Sequence, residues 1–133
     1  VLPIAELAPL ADYLIIEADG SKRLPLKAHE SFEPVIPSGT ARTVCVVGLT
    51  GLGRPIAEAV HRPELFAALV HCGADEPATP ERVAQVLNAE MQALGLSTAR
   101  VMLNQADTLA DPTMADRFEA ALNRPLIATS LQG

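Results

Sequence analysis

Four apolar runs constrain this chain more than any other feature: Tyr13-Leu14-Ile15-Ile16, Thr43-Val44-Cys45-Val46-Val47-Gly48, Arg100-Val101-Met102-Leu103 and Pro125-Leu126-Ile127-Ala128. Unbroken apolar runs of this length suit strands buried on both faces, the habit of parallel sheets. Most of the chain around them has helical spacing. Ile4, Leu7 and Ala8 share a face before Pro9 disturbs it, and Pro63 opens a short helix through Leu65, Phe66, Leu69 and Val70. Thr79-Pro80-Glu81 reads as N-cap, first-turn proline and dipole-matched acid. Val83, Val86, Leu87, Met91 and Leu94 follow, and Gly95 stops that helix. Asp111-Pro112 caps a last helix whose face is Met114, Phe118, Ala121 and Leu122. Helices between successive strands imply right-handed crossovers. The expected fold is therefore one α/β domain over residues 1–133, a mainly parallel sheet with flanking helices.

Composition narrows the functional classes. With 49% apolar and 20% charged residues in 133, the chain has the balance of a globular domain with a real core. Ten Lys and Arg against sixteen Asp and Glu give a net charge of −6, which disfavours nucleic acid and anionic membranes as partners. No stretch approaches a membrane span and no basic-then-apolar leader opens the chain, so a cytoplasmic location is expected. Cys45 and Cys72 are too few for a disulfide framework and read as buried free thiols. The chain opens on Val1 without an initiator Met, the mark of a fragment.

In parallel sheets ligands sit beyond the carboxyl ends of the strands, so those ends are where chemistry is sought. The first is Glu17-Ala18-Asp19-Gly20. A carboxylate leaving a buried strand can hold a hydrated Mg²⁺ beside a nucleotide phosphate, with Glu17 acting on the metal through water, and Gly20 lets the backbone swing close to the terminal phosphate. Lys22 and Lys27 add positive charge on that side. The plain alternative is an Asp-Gly turn flanked by solvated lysines. The third end, Asn104-Gln105-Ala106-Asp107, occupies the place of the Asn-Lys-x-Asp loop of guanine-nucleotide proteins. There the Asp carboxylate accepts two N–H bonds from guanine while the Asn amide fixes the loop. Gln105 replaces the lysine that would lie over the base, and an Asx turn is the alternative reading. The fourth end, Ala128-Thr129-Ser130, falls where a second base-contacting loop belongs.

The second end, Gly48-Leu49-Thr50-Gly51-Leu52-Gly53-Arg54-Pro55, has Walker-A glycine spacing but not its Lys and Ser or Thr; Pro55 offers neither hydroxyl nor N–H. It reads as a tight turn or a switch segment rather than a phosphate loop. Residues 20–42, with Pro25, Pro34 and Pro37, form a long loop of the kind that is usually functional or mobile. His61-Arg62 reads as a helix–loop junction that can face an anion, and adjacent His71-Cys72 cannot easily grip one ion.

These residues resemble a known family. The run from Ile16 through Gly20, Ser21, Lys22 and Arg23 to Lys27, then Glu33-Pro34-Val35-Ile36-Pro37, Gly48-Leu49, Leu52-Gly53-Arg54-Pro55 and His61-Arg62-Pro63-Glu64, is similar to the YqeC-like selenium-dependent hydroxylase accessory proteins. Thr79-Pro80-Glu81-Arg82 and the 104–107 loop extend the likeness. That family resembles SIMIBI-class phosphate-loop NTPases, so the resemblance implies a Rossmann-like three-layer fold. It also implies a Gly-rich Lys-Thr loop ahead of the region present here, making this chain the C-terminal part of a nucleotide-binding domain without its Walker-A unit. Carried over on matching positions, Glu17 and Asp19 are catalytic, Gly20, Lys22 and Lys27 lie on the phosphate side, and Asn104, Asp107 and Ser130 on the base side.

The function the resemblance implies is maturation of a selenium-dependent molybdenum hydroxylase, with Mg²⁺ and GTP or ATP bound by the full-length protein and neither expected on this chain alone. Its partners would be the hydroxylase or its cofactor-assembly machinery, and residues 20–42 a nucleotide-sensing switch. NTP hydrolysis is expected only of the full-length protein, if of any form. The alternative is a non-catalytic module that escorts cofactor or apo-enzyme, its nucleotide site vestigial. A metal or selenium carrier using Cys45 or Cys72 has little support in the sequence.

Overall fold

A computed structural model describes residues 3–122 and 124–129. The chain begins with one helical turn, α1 (Ile4–Leu7), continued as a 3₁₀ turn over Ala8–Leu10 where Pro9 interrupts the α pattern. It then runs without regular structure to β1 (Leu26–Lys27) and again to β2 (Val44–Gly48). A 3₁₀ turn (Leu49–Gly51), α2 (Ile56–Ala59), β3 (Val60–His61) and α3 (Pro63–Leu69) follow. The remainder alternates helix and strand: α4 (Pro80–Ala93), β4 (Arg100–Asn104), α5 (Thr113–Leu122) and β5 (Leu126–Ala128).

All strand ladders are parallel. β2, β4 and β5 form one sheet in the order β2-β4-β5, with Val46 opposite Met102 and Met102 opposite Ile127; β1 and β3 form a separate two-stranded pair. Three of the four expected strands are thus present. Tyr13–Ile16 is not a strand: it has no regular structure and lies outside both sheets, with Tyr13 89% and Ile15 95% exposed. Its composition suits a sheet, but pairing needs a neighbour, and none is brought to it. The second correction concerns β2, expected to be buried on both faces. Cys45 and Val47 face the core side, whereas Val44 and Val46 on the opposite face are 48% and 59% exposed.

The helices form where their caps dictate. Thr79 Oγ1 accepts from Arg82 N–H at 3.3 Å at the head of α4, and Pro80 fills the first turn. Gly95, at φ +67°, turns the chain out of α4 as expected. Asp111 Oδ1 accepts from Thr113 N–H at 3.0 Å before α5. The core lies between one sheet face and these helices: Val47, Val101 and Leu103 join Val83, Val86, Leu87 and Met91 of α4 and Phe118 and Leu122 of α5. Glu81 and Arg117 bridge α4 to α5 through two bonds of 2.7 Å. Phe66, Ile56 and Val60 extend the core under the β1–β3 pair. No helix among the described residues is long and apolar enough to cross a membrane.

Candidate functional site

The carboxyl ends of the three-stranded sheet meet in one place. Register sets Gly48 beside Asn104, and Thr129 N–H donates to the Leu103 carbonyl at 2.8 Å while its own carbonyl accepts from Ala106 N–H at 3.2 Å. Asn104 Oδ1 accepts from Gln105 N–H at 2.8 Å, and Gln105 takes a left-handed conformation (φ +68°) that turns the chain out of β4. Gln105 Oε1 in turn accepts from Thr50 Oγ1–H at 2.9 Å, tying this loop to the turn after β2. Asp107 lies exposed in the 3₁₀ turn that follows. Ser130 lies outside the described residues. The 104–107 loop therefore stands at the carboxyl end of β4, with Thr129 as its backbone neighbour.

The glycines after β2 serve the fold. Gly48 N–H donates to the Pro25 carbonyl at 3.0 Å, and a Cβ on Gly48 would stand 2.8 Å from Pro25 Cβ. At Gly51 a Cβ would meet Leu26 Cγ at 2.7 Å. Glycine is used here so that residues 25–26 can press onto the strand end, which is why Walker-like spacing occurs without a phosphate loop.

The segment that packs there leads on into a charged cluster that reaches from Lys27 to Glu90, near the end of α4. Lys27 is nearly enclosed, its side chain 7% exposed. Its Nζ lies 2.8 Å from Asp19 Oδ2 and 3.2 Å from Glu33 Oε2, and donates to the Gly20 carbonyl at 2.8 Å. Neither carboxylate oxygen has hydrogen-bond geometry, so those two are charge contacts. Glu33 Oε1 accepts from Arg62 Nη2–H at 3.1 Å. Burial raises the Glu33 carboxyl, but Lys27 and Arg62 outweigh it and hold the group below the usual carboxylate range. Arg62, in the left-handed region at φ +66°, also donates to His61 Nε2 at 2.8 Å and lies over the Phe32 ring at 5.9 Å.

His29 joins this cluster to α4. Its Nδ1 is 2.7 Å from Glu90 Oε2, its backbone N–H donates to Glu90 Oε1 at 2.6 Å, and its Nε2 is 2.8 Å from Asp19 Oδ2. A neutral imidazole carries one N–H, and here both ring nitrogens face carboxylates; the imidazolium is the form that suits both. Burial opposes that charge, but the Glu90 hydrogen bond and the Glu90 and Asp19 charges win, raising the His29 pKa above its ordinary 6.5.

The structure thus gathers Asp19, Gly20 and Lys27 into one cluster and leaves Glu17 and Lys22 exposed beside it. Sequence reading named Arg62 as a residue that can face an anion but did not pair it with Glu33, and gave His29 and Glu90 no role. His29 and Glu90 stand 61 residues apart, so no local pattern could have paired them. Among the described residues no three His, Cys, Asp or Glu side chains are grouped to hold a metal ion. Cys45 is pushed up to about 12, chiefly by burial and further by the charges of Glu90 and Asp19, which keeps its thiol protonated and a poor nucleophile or ligand.

Comparison with known proteins bears on this cluster. Residues 2–64 match the family model described as YqeC protein. The chain is also 43% identical over 60 residues to the uncharacterized protein YqeC of Escherichia coli (strain K12), a stretch covering 44% of this chain and 23% of that protein. No solved structure matches. The matched span holds Asp19, Lys27, His29, Glu33 and Arg62 and stops short of Glu90 and the 104–107 loop. Over residues 2–64, which carry all of the charged cluster except Glu90, the chain is similar to YqeC.

Proposed function

We propose that this chain supplies the base side of a purine-nucleotide site, with GTP or ATP as ligand, in an accessory factor that matures a selenium-dependent molybdenum hydroxylase, on a phosphate-loop NTPase-like variant of the α/β fold. The observation that carries the nucleotide reading is the Asn104–Asp107 loop at the carboxyl end of a parallel sheet. Asn104 is spent on holding the loop's first peptide, the Thr129 backbone lies alongside, and the Asp107 carboxylate is at the surface where a purine's N–H groups could reach it. The client enzyme comes from the resemblance of the 16–64 motifs.

The phosphate side fits less well in this conformation. Pro25 and Leu26 fill the space at Gly48 and Gly51, and Lys27 is neutralised by Asp19 and Glu33. Glu17 is the carboxylate left exposed to act on Mg²⁺ through water, with Lys22 as the exposed cation near it in sequence.

Fluorescent GTP and ATP analogues titrated into the natural protein that carries this chain should show saturable binding of one of them. Asp107→Ala should weaken it about tenfold, the cost of one charge-assisted pair of bonds. Saturation by neither nucleotide overturns the reading.

The closed state of Lys27 favours a second reading, an escort module for cofactor or apo-enzyme with a vestigial nucleotide site. Under it, hydroxylase capture in a pull-down is indifferent to nucleotide and survives Glu17→Ala.

A further inference from the structure

Two surfaces of this molecule lack what their chemistry calls for. The first is the outer edge of β2. In a parallel ladder successive residues turn their N–H and C=O groups to opposite sides. The Thr43 carbonyl accepts from Arg100 N–H at 3.0 Å, so Thr43, Cys45 and Val47 face β4, and Val44, Val46 and Gly48 face outward. Gly48 N–H is used by Pro25, and among the described residues no strand lies beside Val44 and Val46. Their side chains, with that of Ile127, leave one sheet face apolar and about half exposed. At the amino end of this edge stands Arg42, and Arg100 begins the next strand; neither has a carboxylate within 4.0 Å among the described residues, in a chain where acids outnumber bases sixteen to ten.

The second surface is the arm over residues 3–17. Val35 N–H holds the Ala18 carbonyl at 3.3 Å, and ahead of that anchor nearly every residue is exposed. Tyr13–Ile16 is apolar throughout and exposed along its length, and the first twenty residues contain Glu6, Asp12, Glu17 and Asp19 but no Lys, Arg or His.

We propose that the arm of one copy adds Tyr13–Ile16 as a parallel strand to the free β2 edge of a second copy, and receives the same in return, forming a closed two-fold dimer. The strand that composition demands is then made between chains rather than within one. Strand addition to an open edge takes its affinity from main-chain bonds and its register from side chains. In parallel sense Asp12 comes beside Arg42, so the acidic arm meets the unpaired cation, and Leu14 and Ile16 or Tyr13 and Ile15 extend the apolar face begun by Val44 and Val46. Reciprocal exchange closes the assembly at two copies. This holds whether or not the chain binds a nucleotide.

Sedimentation velocity on the natural protein that carries this chain, from low micromolar to about 100 µM, tests it. A concentration-dependent dimer is expected. Ile15→Lys alters only the exposed arm and should return monomer, with an unchanged thermal melt at concentrations where the unsubstituted protein is itself monomeric. Val46→Pro removes an outward N–H that an edge strand can spare and should do the same. Asp12→Arg and Arg42→Asp should each shift the midpoint upward at least severalfold, and the double variant should restore it. Monomer at every concentration overturns the proposal. So does a dimer indifferent to Ile15→Lys, or a charge swap that does not recover.

Discussion

The two halves of this chain are held together by different forces. From Pro80 to Ala128, capped helices and parallel strands bury Val83, Val101, Leu103, Phe118 and Leu122 in a shared apolar core. From Pro3 to Arg42 there is one turn of helix and a two-residue strand, and only Leu26 and Ala28 are buried. What fixes this first half is charge: Lys27 between Asp19 and Glu33, and His29 between Asp19 and Glu90. The YqeC match, over residues 2–64, takes in this charge-held region together with the buried apolar residues Val47, Leu49, Leu52, Ile56 and Val60. A charge-held region is open to rearrangement by pH, by a competing ion, or by a partner, in a way an apolar core is not.

The sharpest way to break the comparison is by truncation in each half. Phe118 is fully buried against α4 and the sheet, and Phe118→Ala should cost about 3–5 kcal/mol in urea unfolding. Ile15→Ala, on a side chain 95% exposed, should change stability by less than about 0.5 kcal/mol although the sequence marks both as core residues of similar weight. A large loss at Ile15 would mean the arm is packed in solution, and would also bear on the dimer proposed above.

That pair shows where sequence was readable. β2, β4 and β5 were legible because each apolar run is followed or preceded by a capped helix or a glycine turn that brings it to its neighbour. Tyr13–Ile16 has the same composition and no such device: Asp19-Gly20 and the prolines that follow lead the chain away into irregular structure. Strand propensity describes fitness for a sheet, and pairing is a tertiary event. β1 and β3, two residues each, are too short to carry a period. The position of the 104–107 loop was legible because it follows its strand directly in sequence; its ties to Thr50 and to the Thr129 backbone were not. The charged cluster was not, because Arg62 with Glu33 and His29 with Glu90 meet across 29 and 61 residues.

The next effect is smaller and confined to the first half. Lys27→Ala leaves Asp19 and Glu33 with like charges and no cation between them, and should cost about 3 kcal/mol, toward the low end for breaking a largely buried pair because both carboxylates keep some contact with water. Lys27→Met keeps the aliphatic packing and isolates the charge contribution. If Lys27→Ala proves neutral by urea unfolding, the cluster is incidental and the first half is held by Leu26 and Ala28 alone.

The smallest effect is also the most selective, because it acts through one proton. The folded His29 pKa lies above its ordinary 6.5, the Glu90 bond and the Asp19 and Glu90 charges overcoming the burial that lowers it, with Lys27 opposing from β1. A group whose pKa is raised on folding stabilises the fold fully below its unfolded value and loses that contribution as pH rises through the folded value. Stability should therefore fall from pH 6 upward by an amount that His29→Gln abolishes. Amide hydrogen exchange separates the halves: after correction for the intrinsic rate, protection around residues 19–29 should drop with rising pH, while that of β4 and α5 stays level. Loss of protection in both halves together would mean that His29 is coupled through Glu90 into the α4 core, and that charge and apolar packing form one cooperative unit rather than two.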